Sequence, residues 1–150
     1  MNGKENLNAF FVDCFYSILN AEERALEEMS NGKLSLKEIH VIEAVFKAKA
    51  TNENNFSTIA KILGVTLGTL TTSFSRLEKK GYLTKRQGTE DKRVYYIEPT
   101  RLGTLINDEH TVFHNKMIHD IIEQLSDDEL EHLLAALKSL GSFFKGYYKE

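Results

Sequence analysis

Apolar residues recur along this chain with two periods, 3.6 over most of its length and close to 2 over one short stretch. Over residues 5–29, Leu7, Phe10, Phe11, Cys14, Phe15, Ile18 and Leu19 mark one side of a long amphipathic helix. Asn31-Gly32 breaks it, and Ser35-Leu36-Lys37-Glu38 reads as a capping box opening a second helix. That helix turns Leu36, Ile39, Val41, Ile42, Val45 and Phe46 inward and ends near Ala50. After a polar loop over 51–55, Ser57 is expected to cap a short helix over 58–63 that buries Ile59, Ala60 and Leu63. Gly64 can take the left-handed conformation that closes a helix, and Thr66 can cap the next. In that next helix Leu70, Phe74 and Leu77 form a narrow apolar stripe, while Gly68, Thr72, Ser75, Arg76 and Lys79 share the opposite side.

A short helix, a tight glycine turn and a second helix are the helix-turn-helix pattern, whose second helix enters a DNA major groove. A helix built for solvent alone carries alternating Glu and Lys; this one carries hydroxyls and cations. After Gly81 the period shortens. Residues 82–86 read as a strand, 87–92 as a loop and 93–97 as the returning strand, a β-hairpin wing whose loop region holds Lys85, Arg86, Lys92 and Arg93. Pro99 is expected to end the strand, and Thr100 to cap a helix over 101–125. Ser126-Asp127-Asp128-Glu129 is a second capping box, and the last helix carries Leu130, Leu133, Leu134, Leu137, Leu140, Phe143 and Phe144. The predicted fold is mainly α with a small β-hairpin wing (α+β). Residues 35–99 form a winged helix-turn-helix, and 1–34 with 100–150 form long N- and C-terminal dimerisation helices. Their surplus apolar surface suits a two-fold homodimer.

The net charge of −3 speaks against nucleic acid until its distribution is read. From Ser57 to Arg101 nine Lys and Arg face four acids, a local +5, which leaves −8 for the remainder. A basic middle between acidic ends makes one anion-seeking face. The expected partner is a double-stranded DNA operator. Ser57, Thr66, Gly68, Thr69, Thr72, Ser75 and Arg76 are expected in or beside the major groove, and Lys79, Lys80, Lys85 and Arg86 at phosphates. At 150 residues and 41% hydrophobic content the chain has one domain's core, and no apolar run nears the roughly 18 residues that cross a bilayer. A single cysteine excludes an internal disulfide and fits a reducing cytoplasm. GxxxxGKS/T, GxGxxG, CxxC and HExxH are all absent, and the Ser, His and Asp residues occupy caps and helix faces, so enzyme chemistry is not expected.

The order of elements, the wing sequence Gly88-Thr89-Glu90-Asp91-Lys92-Arg93 and the following Thr100-x-x-Gly103 resemble the MarR family of winged-helix regulators. The resemblance implies that Arg93 enters the minor groove and that Asp91 holds the wing; Pro99-Thr100 stands where the family usually has Leu-Thr. SLKEIH, GVTLGTLTTS and RLEKKGY resemble the branch that represses fatty-acid biosynthesis genes in Gram-positive bacteria, whose co-repressor is long-chain acyl-acyl carrier protein. A second resemblance, to the zinc-responsive branch, rests on His110 and His114 at i, i+4 with Glu23 and His40 in corresponding places. That branch's further acidic and Cys ligands have no counterpart, and the same histidines can instead form a buried polar network. Peroxide-sensing members place a reactive cysteine near the first helix, but Cys14 lies between Phe11, Phe15 and Ile18, where a buried, inert thiol is expected. Two rivals stand beside the fatty-acid repressor: a zinc-dependent repressor of metal-uptake genes, and a winged-helix protein-interaction module that never meets DNA.

Overall fold

The computed structural model describes residues 3–147; the outermost residues of the expected dimerisation segments, 1–2 and 148–150, lie outside the described residues. The elements are α1 (Gly3–Ser30), α2 (Leu36–Lys49), α3 (Phe56–Leu63), α4 (Leu67–Lys79), β1 (Leu83–Gln87), β2 (Tyr95–Pro99), α5 (Arg101–Glu123) and α6 (Asp127–Tyr147). Packing divides the chain into two compact units, Met1–Thr111 and Val112–Glu150. Among the described residues no helix is long and apolar enough to cross a membrane.

The core belongs to the first unit. Ile39, Ile42 and Val45 of α2, Ile59 of α3, Leu70, Phe74 and Leu77 of α4, and Leu83 and Ile97 of the hairpin are all buried together. Each such side chain contributes about 1.5–3 kcal/mol relative to exposure, enough to fix helices this short. The α2 capping box forms as expected: Ser35 Oγ accepts from the Glu38 amide, and the Glu38 carboxylate accepts from the Ser35 amide. Gly64 closes α3 in the left-handed conformation (φ 65°) and Thr66 caps α4.

Two boundaries differ from expectation. Asn55, not Ser57, caps α3; its side-chain oxygen accepts the Thr58 amide at 2.9 Å. Starting the helix at Phe56 sets that ring edge-on to Phe74, with centroids 5.1 Å apart, so packing decides between two capable caps. The returning strand begins at Tyr95 rather than Arg93. The Asp91 carboxylate accepts the Arg93 amide, the Val94 amide donates to the Asp91 carbonyl, and the Gly88 amide donates to the Val94 carbonyl, so the tip consumes both residues. Arg93 therefore sits in a turn, while Lys85 and Arg86 lie within β1, short of the tip. The hairpin is antiparallel, with Leu83 opposite Pro99 and Gln87 opposite Tyr95, so Pro99 is the last paired residue of its strand. A β-carbon on Gly88 would meet the Asp91 carbonyl oxygen at 2.6 Å, which reserves the position for glycine.

The terminal helices are otherwise. Phe10, Phe15 and Ile18 on α1 are exposed, as are Leu134, Leu137, Phe143 and Phe144 on α6, a helix with no buried residue. Cys14 is exposed as well, against the expectation of a buried thiol, on the same stripe as the exposed Phe10 and Phe15.

Candidate nucleic-acid interface

Helix α4 presents its polar side as expected: Gly68, Thr69, Thr72, Ser75, Arg76 and Lys79 are exposed, over a buried stripe of Leu70, Phe74 and Leu77. The hydroxyls are less free than their number suggests. Thr71 donates to the Leu67 carbonyl at 2.8 Å, Thr72 to Gly68 at 3.1 Å and Ser75 to Thr71 at 2.9 Å. Thr66 is spent on capping, its oxygen accepting the Thr69 amide and its hydrogen going to the Thr69 hydroxyl. Beside α4, a groove is lined by Ser57, Leu67, Thr71, Lys85, Arg93 and Tyr95. Leu67, Thr71 and Tyr95 escaped the sequence reading, which looked for donors and cations.

The cations divide into free and committed. Arg76, Lys79 and Lys92 are exposed, and Arg93, with a side chain 90% exposed, stands at the wing tip. Both oxygens of Asp91 accept from the Arg93 guanidinium at 3.0 Å. That guanidinium, joined by the Arg93 amide, holds the Asp91 carboxyl below its ordinary value, and the carboxylate raises Arg93 in return. Asp91 thus fixes both the turn and the direction of the arginine. Lys85 stands 5.3 Å from the Tyr95 ring centroid, and Arg86 lies over Tyr96 at 4.5 Å while pairing with Glu98 at 3.0 Å. Lys49 pairs with Glu98 from the other side, and Asn54 reaches it at 3.3 Å. Burial opposes the ionisation of Glu98, yet these partners hold its carboxyl below the ordinary range. Asn54 also exchanges bonds with the Ile97 backbone, both 2.8 Å, which moors the wing to the loop before α3.

Lys80 does not stand ready for a phosphate. Its ammonium donates to both Glu38 oxygens and to the Lys33 carbonyl, all at 2.8 Å. Burial would raise Glu38, but Lys80 and the Ser35 amide outweigh it and hold the carboxyl low. The pair staples α4's exit to α2's start.

The four residues expected at a metal do not all converge. Glu23 is exposed, and His40 faces Thr69 and Ser73 beside α4. Around the buried His110, two other residues gather: Glu43 Oε1 lies 2.6 Å from Nδ1 and Glu22 Oε1 lies 3.8 Å from Nε2. His114 stands half-buried one turn further along α5. The Glu23 assignment missed by one residue; Glu22 precedes Leu26 and Ser30 by four and eight, so the buried phase of α1 carries the signal. Glu23 and His40 thus stand away from His110, beside which Glu22 of α1 and Glu43 of α2 gather instead.

The profile of the MarR family matches residues 34–95. A crystal structure of Streptococcus pneumoniae FabT in complex with DNA superposes with a TM-score of 0.89 at 33% identity, over 96% of this chain and 99% of that one. This chain belongs to the MarR family. It is a DNA-binding transcriptional regulator with the winged-helix fold. The MarR-family chain is also 28% identical over 144 residues to the HTH-type transcriptional repressor YetL of Bacillus subtilis, covering 93% of this chain and 84% of YetL. Its fold recurs in the DNA complex of Staphylococcus aureus MepR, at TM-score 0.74 and 20% identity over 91% of this chain and 96% of MepR. These relatives are regulators rather than enzymes. Family membership also gives Thr100-x-x-Gly103 a physical meaning. The Thr100 hydroxyl donates to the Gly81 carbonyl at 2.6 Å and accepts the Gly103 amide at 3.1 Å, and Gly103 lies against the Tyr82 carbonyl.

Proposed function

We propose that the protein is a cytoplasmic homodimeric repressor of fatty-acid biosynthesis genes, with acyl-acyl carrier protein as co-repressor. The observation that carries this reading is the likeness to FabT, which spans nearly the whole chain at 33% identity and is to a DNA-bound form. The recognition-helix segment 64–73, GVTLGTLTTS, resembles the same branch, and it is the part of a regulator that must follow its operator. The exposed Phe10, Phe15, Leu134, Leu137 and Phe143 supply apolar surface for a second copy. In such a dimer the two α4 helices address half-sites about 34–36 Å apart, one helical turn of DNA. Ser57, Thr69, Thr72, Ser75 and Arg76 take the major groove, Lys79, Lys85, Arg86 and Lys92 the phosphates, and Arg93 the minor groove.

Selection of bound fragments from a random duplex pool, with and without acyl-acyl carrier protein, tests the proposal. Recovery of a palindrome bound more tightly with the acyl protein supports it, and affinity should fall steeply as salt rises. A palindrome that ignores the acyl protein but responds to zinc overturns the fatty-acid assignment and leaves the regulator.

A further inference from the structure

The first two turns of α4, residues 67–74, contain no charged and no amide side chain. Reading guanine through O6 and N7, or adenine through N6 and N7, takes Arg, Lys, Asn or Gln, and none is available there. Thr71 and Thr72 have donated their hydroxyl hydrogens to helix carbonyls, which leaves them methyl groups and oxygen lone pairs to offer outward. Leu67, the first residue of the helix, is 52% exposed, has no place in the hydrophobic core, and lines the groove beside the wing with Ser57, Lys85 and Arg93. An apolar side chain held open at the groove end of a recognition helix gains nothing from solvent. The thymine C5-methyl is the base feature that rewards it.

We propose that Leu67 is a specificity-determining residue that packs on a thymine methyl in each half-site, with the Thr71 methyl beside it. The inference rests on the DNA-reading function above. Base choice under the start of α4 is then made by apolar contact rather than by a bidentate hydrogen bond, and the cations Arg76 and Lys79 act further along the helix.

The test replaces thymines one at a time by deoxyuridine in a duplex selected by the wild-type dimer; the change removes the methyl and keeps every hydrogen-bonding group. Affinity of the wild type should fall by about fourfold at one or two positions per half-site, the worth of one buried methyl group. Leu67→Ala should bind the thymine duplex more weakly and show no difference between thymine and uracil at those positions, whereas Leu67→Met should restore part of it. Because Leu67 is exposed, both variants should melt with the wild type, which separates reading from folding. If no position responds to uracil, or if Leu67→Ala keeps the full response, the inference is overturned while DNA binding stands. If the wild type selects no duplex at low salt, the DNA-reading function falls, and the inference with it.

Discussion

Helices α4 and α6 have similar amphipathic patterns and opposite fates. In α4 the stripe of Leu70, Phe74 and Leu77 is covered by α2, α3 and the hairpin of the same chain. In α6 the stripe of Leu133, Leu134, Leu137, Leu140, Phe143 and Phe144 stays exposed among the described residues. Periodicity reports that a face needs burial, and it is silent on whose surface does the burying. The winged module closes its core within one copy, whereas the terminal helices leave their apolar faces exposed in it.

That contrast can be broken at its strongest point. Phe74→Ala removes the ring that packs on Phe56 and should cost about 3–5 kcal/mol of folding stability, read as a lowered thermal midpoint. The paired change Leu134→Asp with Leu137→Asp should do something different: leave the melting of the winged core in place and weaken self-association by about thirtyfold or more, read by sedimentation. Dimers that persist in that variant would refute the role given to α6. Next in size, Arg93→Ala should weaken operator binding by about 1–3 kcal/mol without altering the fold. Asp91→Ala should weaken binding too, through loss of the turn that aims the arginine.

The smallest effect sharpens the line between cations that hold the fold and cations that meet DNA. Lys80→Met should lower stability by about 1 kcal/mol, because the Glu38 carboxylate loses its charged partner. The sign with pH follows from Glu38 lying below its ordinary 4.5 in the folded chain. Its contribution is full above that value and disappears as pH falls through the folded-state value. The stability gap between wild type and Glu38→Gln should therefore be present at pH 7 and close on the acid side, measured by denaturant melts across pH. A gap that widens in acid would contradict the pairing.

Much of this molecule could be read in its residues because the relevant forces are local. Gly64, Thr66 and the two capping boxes act within four residues, and α4's stripe follows from one helix's own period. What escaped depends on contacts distant in sequence. The choice of Asn55 over Ser57 turns on Phe56 meeting Phe74, eighteen positions away. Lys80 looked like a phosphate contact because its acceptor, Glu38, lies 42 residues earlier. The resemblance that places Glu23 and His40 beside His110 carries no information on which carboxylate of α1 faces inward, and in the fold Glu22 and Glu43 do. Cys14 is exposed on the same stripe as Phe10 and Phe15, and a helix's own period does not say which of its faces will be covered. In the wing, alternation showed that a hairpin exists, while its register was set by Asp91 turning the chain at Arg93 and Val94.

At Gly103 a β-carbon would stand 2.1 Å from the Tyr82 carbonyl oxygen, and the Thr100 hydroxyl clasps the chain at the preceding residue, Gly81. Backbone meets backbone here with no compressible side chain between them. A shift of α5's opening turn toward the root of the hairpin would therefore press carbonyl against α-carbon at once, which limits how far the two can slide past each other.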